Sequence, residues 1–361
     1  MTNRELFQQI MSYGQFDRMP VTHWTGWTET MDRWYGEGLP RGVDANSFFG
    51  TRPMWCGFGV HLGLLPAFTE ETIEETPEYR IFRASDGVVQ QAWRGKSSIP
   101  HYIGFTLKTA ADWPEYKKRL QPDRLRIPSE LDGQIGNAKY SGLPITVSTA
   151  SMMGVIRNWM GVENMSYLMY DDPDCYADMV NTLADLTCWG LDQVLPRAKA
   201  LGVVPDMGFG WEDICGKSGP LVSPPIFERC VAAGYRKMRD KLESHGVKLL
   251  GIDTDGYVEP LLGNWLRAGV NVQFPIEVGS WKADGMKYRR QYGRELRIVG
   301  HFNKLTLEQS QAAVLAEFER LKPLLRDGGF MMLPDHLITP GVSLDMYRWF
   351  LDQMRALRIH S

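Results

Sequence analysis

Five side chains able to do acid–base or metal chemistry follow directly on short apolar runs. Asp253 and Asp255 follow residues 248–252, Glu277 follows 270–276, His301 follows 296–300 and His336 follows 330–334. A charge beside such a run is expensive to bury, so each group must be paired, hydrogen-bonded or functional. Carboxylates and imidazoles are the usual agents of general acid–base catalysis and can also hold zinc. Asp253 and Asp255 are two residues apart and share one side of an extended segment. Each could instead cap a following helix, and a lone histidine is commonly a satisfied structural group. The recurrence at successive run ends favours function. Asp253, Asp255, Glu277, His301 and His336 are therefore the catalytic candidates.

Around them, His23, Trp24, Trp27, Trp211, Glu212, Lys304 and Asp335 stand at similar places and are the substrate-binding candidates. The chain holds 12 Trp and 18 Met, which fill irregular core gaps or line a cavity for a flat or methylated organic molecule. No GxSxG elbow, CxxC pair, HExxH helix or GxGxxG loop is present. Gly57-Phe58-Gly59 and Gly208-Phe209-Gly210 carry almost no motif information by themselves. A glycosidase-like pair of Asp253 or Asp255 with Glu277 would need a separation that sequence cannot measure.

The elements that must position these residues alternate. Thr2 and Glu5 form a capping box, and residues 21–24 read as a strand. Residues 25–80 carry no clear pattern, and 79–93 read as a hairpin turning at Asp86-Gly87. Beyond 140, strands are predicted at 144–150, 203–207, 248–253, 270–274, 296–300 and 330–333. Helices between them are opened by Asp172-Pro173, by Ser223-Pro224-Pro225 and by Thr306 with Gln309. With the strand near residue 22 and one more before residue 110, the count reaches eight. The economical reading is an α/β fold, a single (β/α)8 barrel domain over 1–361 with an irregular N-terminal extension. A doubly wound open sheet is the alternative. In a parallel barrel the strands' carboxyl ends carry the chemistry, which is where the candidates fall.

Composition narrows the class. Forty basic residues against 43 acidic give a net charge of −3, which argues against a nucleic-acid surface. No run approaches the roughly 20 apolar residues of a membrane span. The first residues lack the apolar core of a signal peptide. Five cysteines with no close pair suit a reducing compartment, so a cytoplasmic location is expected.

Read in order, Asp17-Arg18-Met19-Pro20-Val21, Thr76-Pro77-Glu78-Tyr79-Arg80, Trp159-Met160-Gly161-Val162-Glu163, Tyr170-Asp171-Asp172-Pro173, Asp253-Thr254-Asp255-Gly256, Gly328-Gly329 and Asp335-His336 resemble the uroporphyrinogen decarboxylase-like superfamily, which includes cobalamin-dependent methyltransferases. The resemblance spans nearly the whole chain and implies one (β/α)8 barrel with a cleft at the carboxyl end. The decarboxylases' arginine-rich segment for substrate carboxylates is not matched, since 22–30 holds no arginine before Arg33. The His-x-Cys-Gly zinc ligands of thiol-activating relatives are replaced by Asp253-Thr254-Asp255-Gly256, with His336 near the place of a later cysteine. A harder zinc site of Asp253, Glu277 and His336 is the expectation that follows. The implied function is corrinoid-dependent methyl transfer from a small methoxy or methylamine compound. No corrinoid domain is evident, so the cobalamin is expected on a partner protein. The alternative is decarboxylation of a tetrapyrrole or another carboxylic acid. A homodimer is a further expectation.

Overall fold

The structure, a computed structural model, describes residues 1–24, 26–95 and 100–360. A short strand β1 (Cys56–Phe58) is followed by four antiparallel strands, β2 (Glu71–Glu75), β3 (Tyr79–Arg83), β4 (Val89–Trp93) and β5 (His101–Gly104), which pair in that order. The chain continues through β6 (Ile145–Ser148), β7 (Met207–Trp211), the small hairpin β8 (Cys215–Gly216) and β9 (Gly219–Pro220), then β10 (Leu250–Asp253), β11 (Val272–Phe274), β12 (Arg297–Phe302) and β13 (Phe330–Pro334). Seven of these form one curled parallel sheet in the order β1-β6-β7-β10-β11-β12-β13. Each strand thus lies beside the one before it in the sheet, as repeated βα units require.

Residues 21–24, predicted as a strand, are reduced to single contacts. Thr22 makes one parallel bridge to Arg52, before β1, and Gly26 makes one to Ile338, after β13. The predicted count of eight therefore becomes seven paired strands among the described residues. The first of them, β1, lies in the stretch where the sequence shows no clear pattern.

Local rules explain the helices that were legible. Asp172 Oδ1 accepts from Cys175 N at 3.0 Å, and Pro173 sits where a missing N–H costs nothing. Along helix Pro173–Ala200, Tyr176, Met179, Val180, Leu183, Leu186, Leu191 and Val194 are buried on one face, each such apolar side chain contributing about 1.5–3 kcal/mol. The Thr2–Glu5 capping box forms, and the hairpin turns at Asp86-Gly87 with Gly87 at φ 84°.

Two further expectations are corrected, and one helix is new. The strand placed at 203–207 starts only at Met207, because the Asp206 carboxylate is drawn off to Ile145 N (2.7 Å) and Arg4 Nε (2.9 Å) at the sheet's amino end. Thr306 does not cap helix Gln311–Asp327; Ser310 does, through Ala313 N, while 304–308 form a separate 3-10 turn. Helix Gly154–Asp171, unread in the sequence, is interrupted by Gly161 at φ 76°.

After β10 the chain turns at Gly256, with φ 90°, where a Cβ would come within 2.6 Å of the Cys215 carbonyl carbon. Gly256→Ala is expected to destabilise the fold by about 2 kcal/mol or more, from left-handed strain and the clash together. Chemical denaturation measures this, and a change below about 0.5 kcal/mol would show that the turn relaxes freely.

Candidate active site

Strand register assembles the site. In a parallel ladder, partnered residues face the same side. Asp253 is paired with Trp211 on one neighbouring strand and with Phe274 on the other. One layer deeper, Gly251 is paired with Phe209 and Val272. Gly251 leaves room there, since a Cβ on it would stand 3.0 Å from the Phe209 ring. Trp211, Asp253 and Phe274 thus form a row across three strands at their carboxyl ends.

Two cavities meet on this row. The first, about 620 Å³, is lined by Ser148, Thr149, Ser151, Trp211 and Asp213 as well as by Phe209 and Asp253. The second, about 480 Å³, is lined by Trp24, Trp55, Asp44 and Phe274 and again by Phe209 and Asp253. Both are of small-molecule size. Among the described residues, no lysine or arginine lines either one.

The acids at this end of the sheet divide by their hydrogen bonds. Glu212, fully buried, accepts from Met152 N (2.8 Å), Met153 N (2.7 Å), Gly154 N (2.6 Å), Ser151 Oγ (2.8 Å) and the Tyr235 hydroxyl. It thereby fastens the loop after β6 and the start of helix Gly154–Asp171 to the loop after β7. Glu277 accepts from Gly256 N (2.8 Å) and Trp281 Nε1 (2.9 Å), joining the loops after β10 and β11. Asp335 accepts from Val278 N (2.7 Å), Gly279 N (3.2 Å) and Lys304 N (3.0 Å), joining those after β11, β12 and β13. These three carboxylates position loops.

Asp253 differs. Among the described residues its carboxyl has no hydrogen-bond partner. Burial, then the nearby charges of Asp255 and Asp213, push its pKa up to about 8, so it holds a proton at neutral pH. Asp213, in the same cavity, is also raised, by burial and by Asp255, against the opposing effect of Arg157. Asp255 Oδ2 lies 3.0 Å from His336 Nε2, while Asp255 Oδ1 and His336 Nδ1 are buried and have no partner among the described residues. Trp27 stacks on His336 with ring centres 5.7 Å apart, and Trp24 lies 5.8 Å away. Lys304 stands beside this group: burial lowers its ammonium pKa, against the raising influence of Asp335, Glu277 and Asp255.

Asp253, Trp24 and Trp211 therefore line the joined cavities, with Asp255, His336 and Trp27 packed beside them and Glu277, Asp335 and Lys304 in the adjoining loops. His301 stands apart. Regular alternation would turn its ring towards the cleft, but Gly300 and His301 have φ 100° and 63°. The ring instead lies among the helices, bonded to Gly285 N (2.9 Å) and close to Ile276 O (3.0 Å), and burial lowers its pKa to about 4. His23 lines the second cavity, but its Nδ1 is 2.8 Å from the Tyr347 hydroxyl and burial lowers its pKa to about 4. Glu212 is enclosed by its five donors.

No group of three or more His, Cys, Asp and Glu among the described residues is arranged to hold a metal. The donor set explains this: Asp255 and His336 bond each other, and Glu277 is occupied by Gly256 and Trp281. Asp253, Glu277 and His336 do not fit a preformed zinc site.

Among the cavity residues that went unread as candidates are Asp44, Trp55, Phe209, Asp213 and Phe274. The signal for Phe209 was the pair of glycines flanking it. A Cβ on Gly208 would meet Leu242 at 2.5 Å and one on Gly210 would meet Thr149 at 2.6 Å, so the first glycine lets the strand lie close to its covering helix and the second close to the loop after β6, while Phe209 projects inward. Asp44 and Trp55 lie in the patternless stretch.

The raised Asp253 pKa carries a stability consequence. Its ordinary value is 3.8, so the folded chain holds a proton that the unfolded chain releases. This contribution is whole below about pH 4 and is lost as pH rises to about 8. Asp253→Asn should therefore gain stability relative to the parent between about pH 4 and pH 9, by a few kcal/mol, since each tenfold difference in proton affinity between the two states is worth about 1.4 kcal/mol. Urea denaturation across that range measures the difference, and a constant offset would contradict the assignment.

No family model and no curated sequence matches the chain. Among solved structures it is similar to a methyltransferase from Methanosarcina mazei, at 15% identity and a TM-score of 0.59, covering 99% of this chain and 98% of that one. A B12-independent methionine synthase from Shewanella sp. W3-18-1 is a more distant likeness, at 11% identity and a TM-score of 0.46, over 94% of each chain. The chain shares the Methanosarcina protein's fold along essentially its whole length.

Proposed function

We propose that the chain is a methyltransferase on a (β/α)8-type scaffold, with Thr22 and Gly26 bridging at the eighth strand position, and that it moves a methyl group from a small methoxy or methylamine donor to a corrinoid on a partner protein. The observation that carries this reading is Asp253, an acid kept protonated where two small-molecule cavities join. The fold shared with a methyltransferase agrees with it. When bound, the reduced corrinoid supplies a two-electron nucleophile for the methyl carbon. The cavities are of substrate size, so the carrier would present its cofactor at their mouth.

The chain's own residues have three tasks. Trp24, Trp55, Phe209 and Phe274 hold the methyl-bearing group and exclude water. Asp253 gives its proton to a departing oxygen, which would otherwise leave as a costly anion. Asp255 and His336 form an adjacent bonded pair that sets the charge beside Asp253. No step is assigned to zinc. Decarboxylation of a polycarboxylate finds no support, because neither cavity is lined by a cation among the described residues.

Incubated with reduced cobalamin, free or on a carrier, the chain is expected to demethylate at least one compound of a methoxy and methylamine panel, read by mass spectrometry. Asp253→Ala should lower the rate on a methoxy donor by about 100-fold or more. That rate should fall as pH rises through about 8, where Asp253 loses its proton. Uroporphyrinogen decarboxylation with no demethylation of any donor would overturn the proposal.

A further inference from the structure

The smaller cavity has a wall of unusual chemistry. Its aromatic rings touch in sequence: Trp24 and Phe274 have centres 4.8 Å apart, Phe274 and Trp55 5.7 Å, and Trp55 and Phe209 4.5 Å. Two carboxyl groups, Asp253 and Asp44, line the same space, and among the described residues no lysine or arginine does. His23, also on the wall, is held neutral by burial. Aromatic faces carry negative potential and attract cations, most strongly when methylated ammonium groups contact several rings. An anion would meet like-signed potential on every side. A neutral apolar molecule would leave the Asp253 carboxyl without a partner.

We propose that this cavity binds the methylated ammonium group of a small quaternary or tertiary amine, with Trp24, Trp55, Phe209 and Phe274 against its methyl groups and Asp253 and Asp44 as its counter-charges. The inference rests on the methyl-transfer reading and narrows the donor to that class. Transfer of a methyl from such a cation breaks a C–N bond and leaves the electron pair on nitrogen. The amine departs neutral, so it needs no proton from Asp253.

A pH signature follows from the surroundings of Asp253. It faces Asp255 on its own loop, Asp213 on the loop after β7 with Arg157 beside that residue, and Asp44 and His23 across the cavity. A bound cation offsets these negative charges and lets Asp253 ionise. Binding then releases a proton below about pH 8 and tightens as pH rises towards it.

The test compares choline with 3,3-dimethyl-1-butanol, which has the same shape but carbon in place of the charged nitrogen. Isothermal titration with the full chain needs no acceptor, so it reads the site apart from the reaction. Choline is expected to bind at least about tenfold more tightly than the alcohol, with the gap widening from pH 6 to pH 8. Trp55→Ala should remove most of the choline affinity and Trp55→Phe less of it. Asp44→Asn keeps a good helix cap and should lower choline affinity while leaving the alcohol unchanged. Equal affinity for the two probes, or no choline binding, would overturn the inference. Demethylation of methoxy compounds without choline binding would overturn it while leaving methyl transfer standing. Selective choline binding with no methyl transfer from any donor would support the cation site and sink the methyl-transfer reading.

Discussion

A carboxylate withdrawn from water must be met by hydrogen-bond donors or keep its proton, and the carboxyl end of this parallel sheet shows both outcomes. Backbone N–H groups of adjoining loops meet Glu212, Glu277 and Asp335, and the loops are fastened to one another in return. Asp253 sits between β7 and β11, flanked in register by Trp211 and Phe274, where no loop amide among the described residues reaches its side chain. The donors spent on its neighbours leave it alone. Its raised pKa is the direct result, and its chemistry follows from that.

This division separates scaffold from reactive group. Removing an acceptor such as Glu212 would strand several buried amides at once and act on folding. The Asp253 carboxyl fastens no loop among the described residues, so its proton can answer to whatever occupies the cavities. An oxygen-leaving donor would use it as an acid, and a cationic donor would take it as a counter-charge. Asp255, Asp213 and Asp44 keep the surrounding potential negative, and Lys304 at the edge offsets part of it.

Much of this was legible in the sequence wherever period and capping agreed. Helix Pro173–Ala200, the hairpin at Asp86-Gly87 and the strands bearing Asp253 and Phe274 follow from apolar spacing, helix caps and turn residues. The grouping of Asp253, Asp255 and His336 follows from their places at strand ends. What stayed hidden depends on contacts distant in sequence. Thr22 and Gly26 make single bridges to partners about 30 and 310 residues away, too sparse to leave an alternating pattern. Two successive left-handed residues break the alternation that would have aimed His301 inward. Trp55 and Asp44 reach the cavity from irregular chain, where no periodicity marks a face.

The chemistry of the cleft turns on the state of one carboxyl group. Carbon-13 NMR titration of aspartate-labelled protein, with Asp253→Asn to assign the resonance, reads that state directly. A carboxyl titrating near pH 8 and absent from the variant is the predicted result. Titration of Asp253 near its ordinary value of 3.8 would contradict the account.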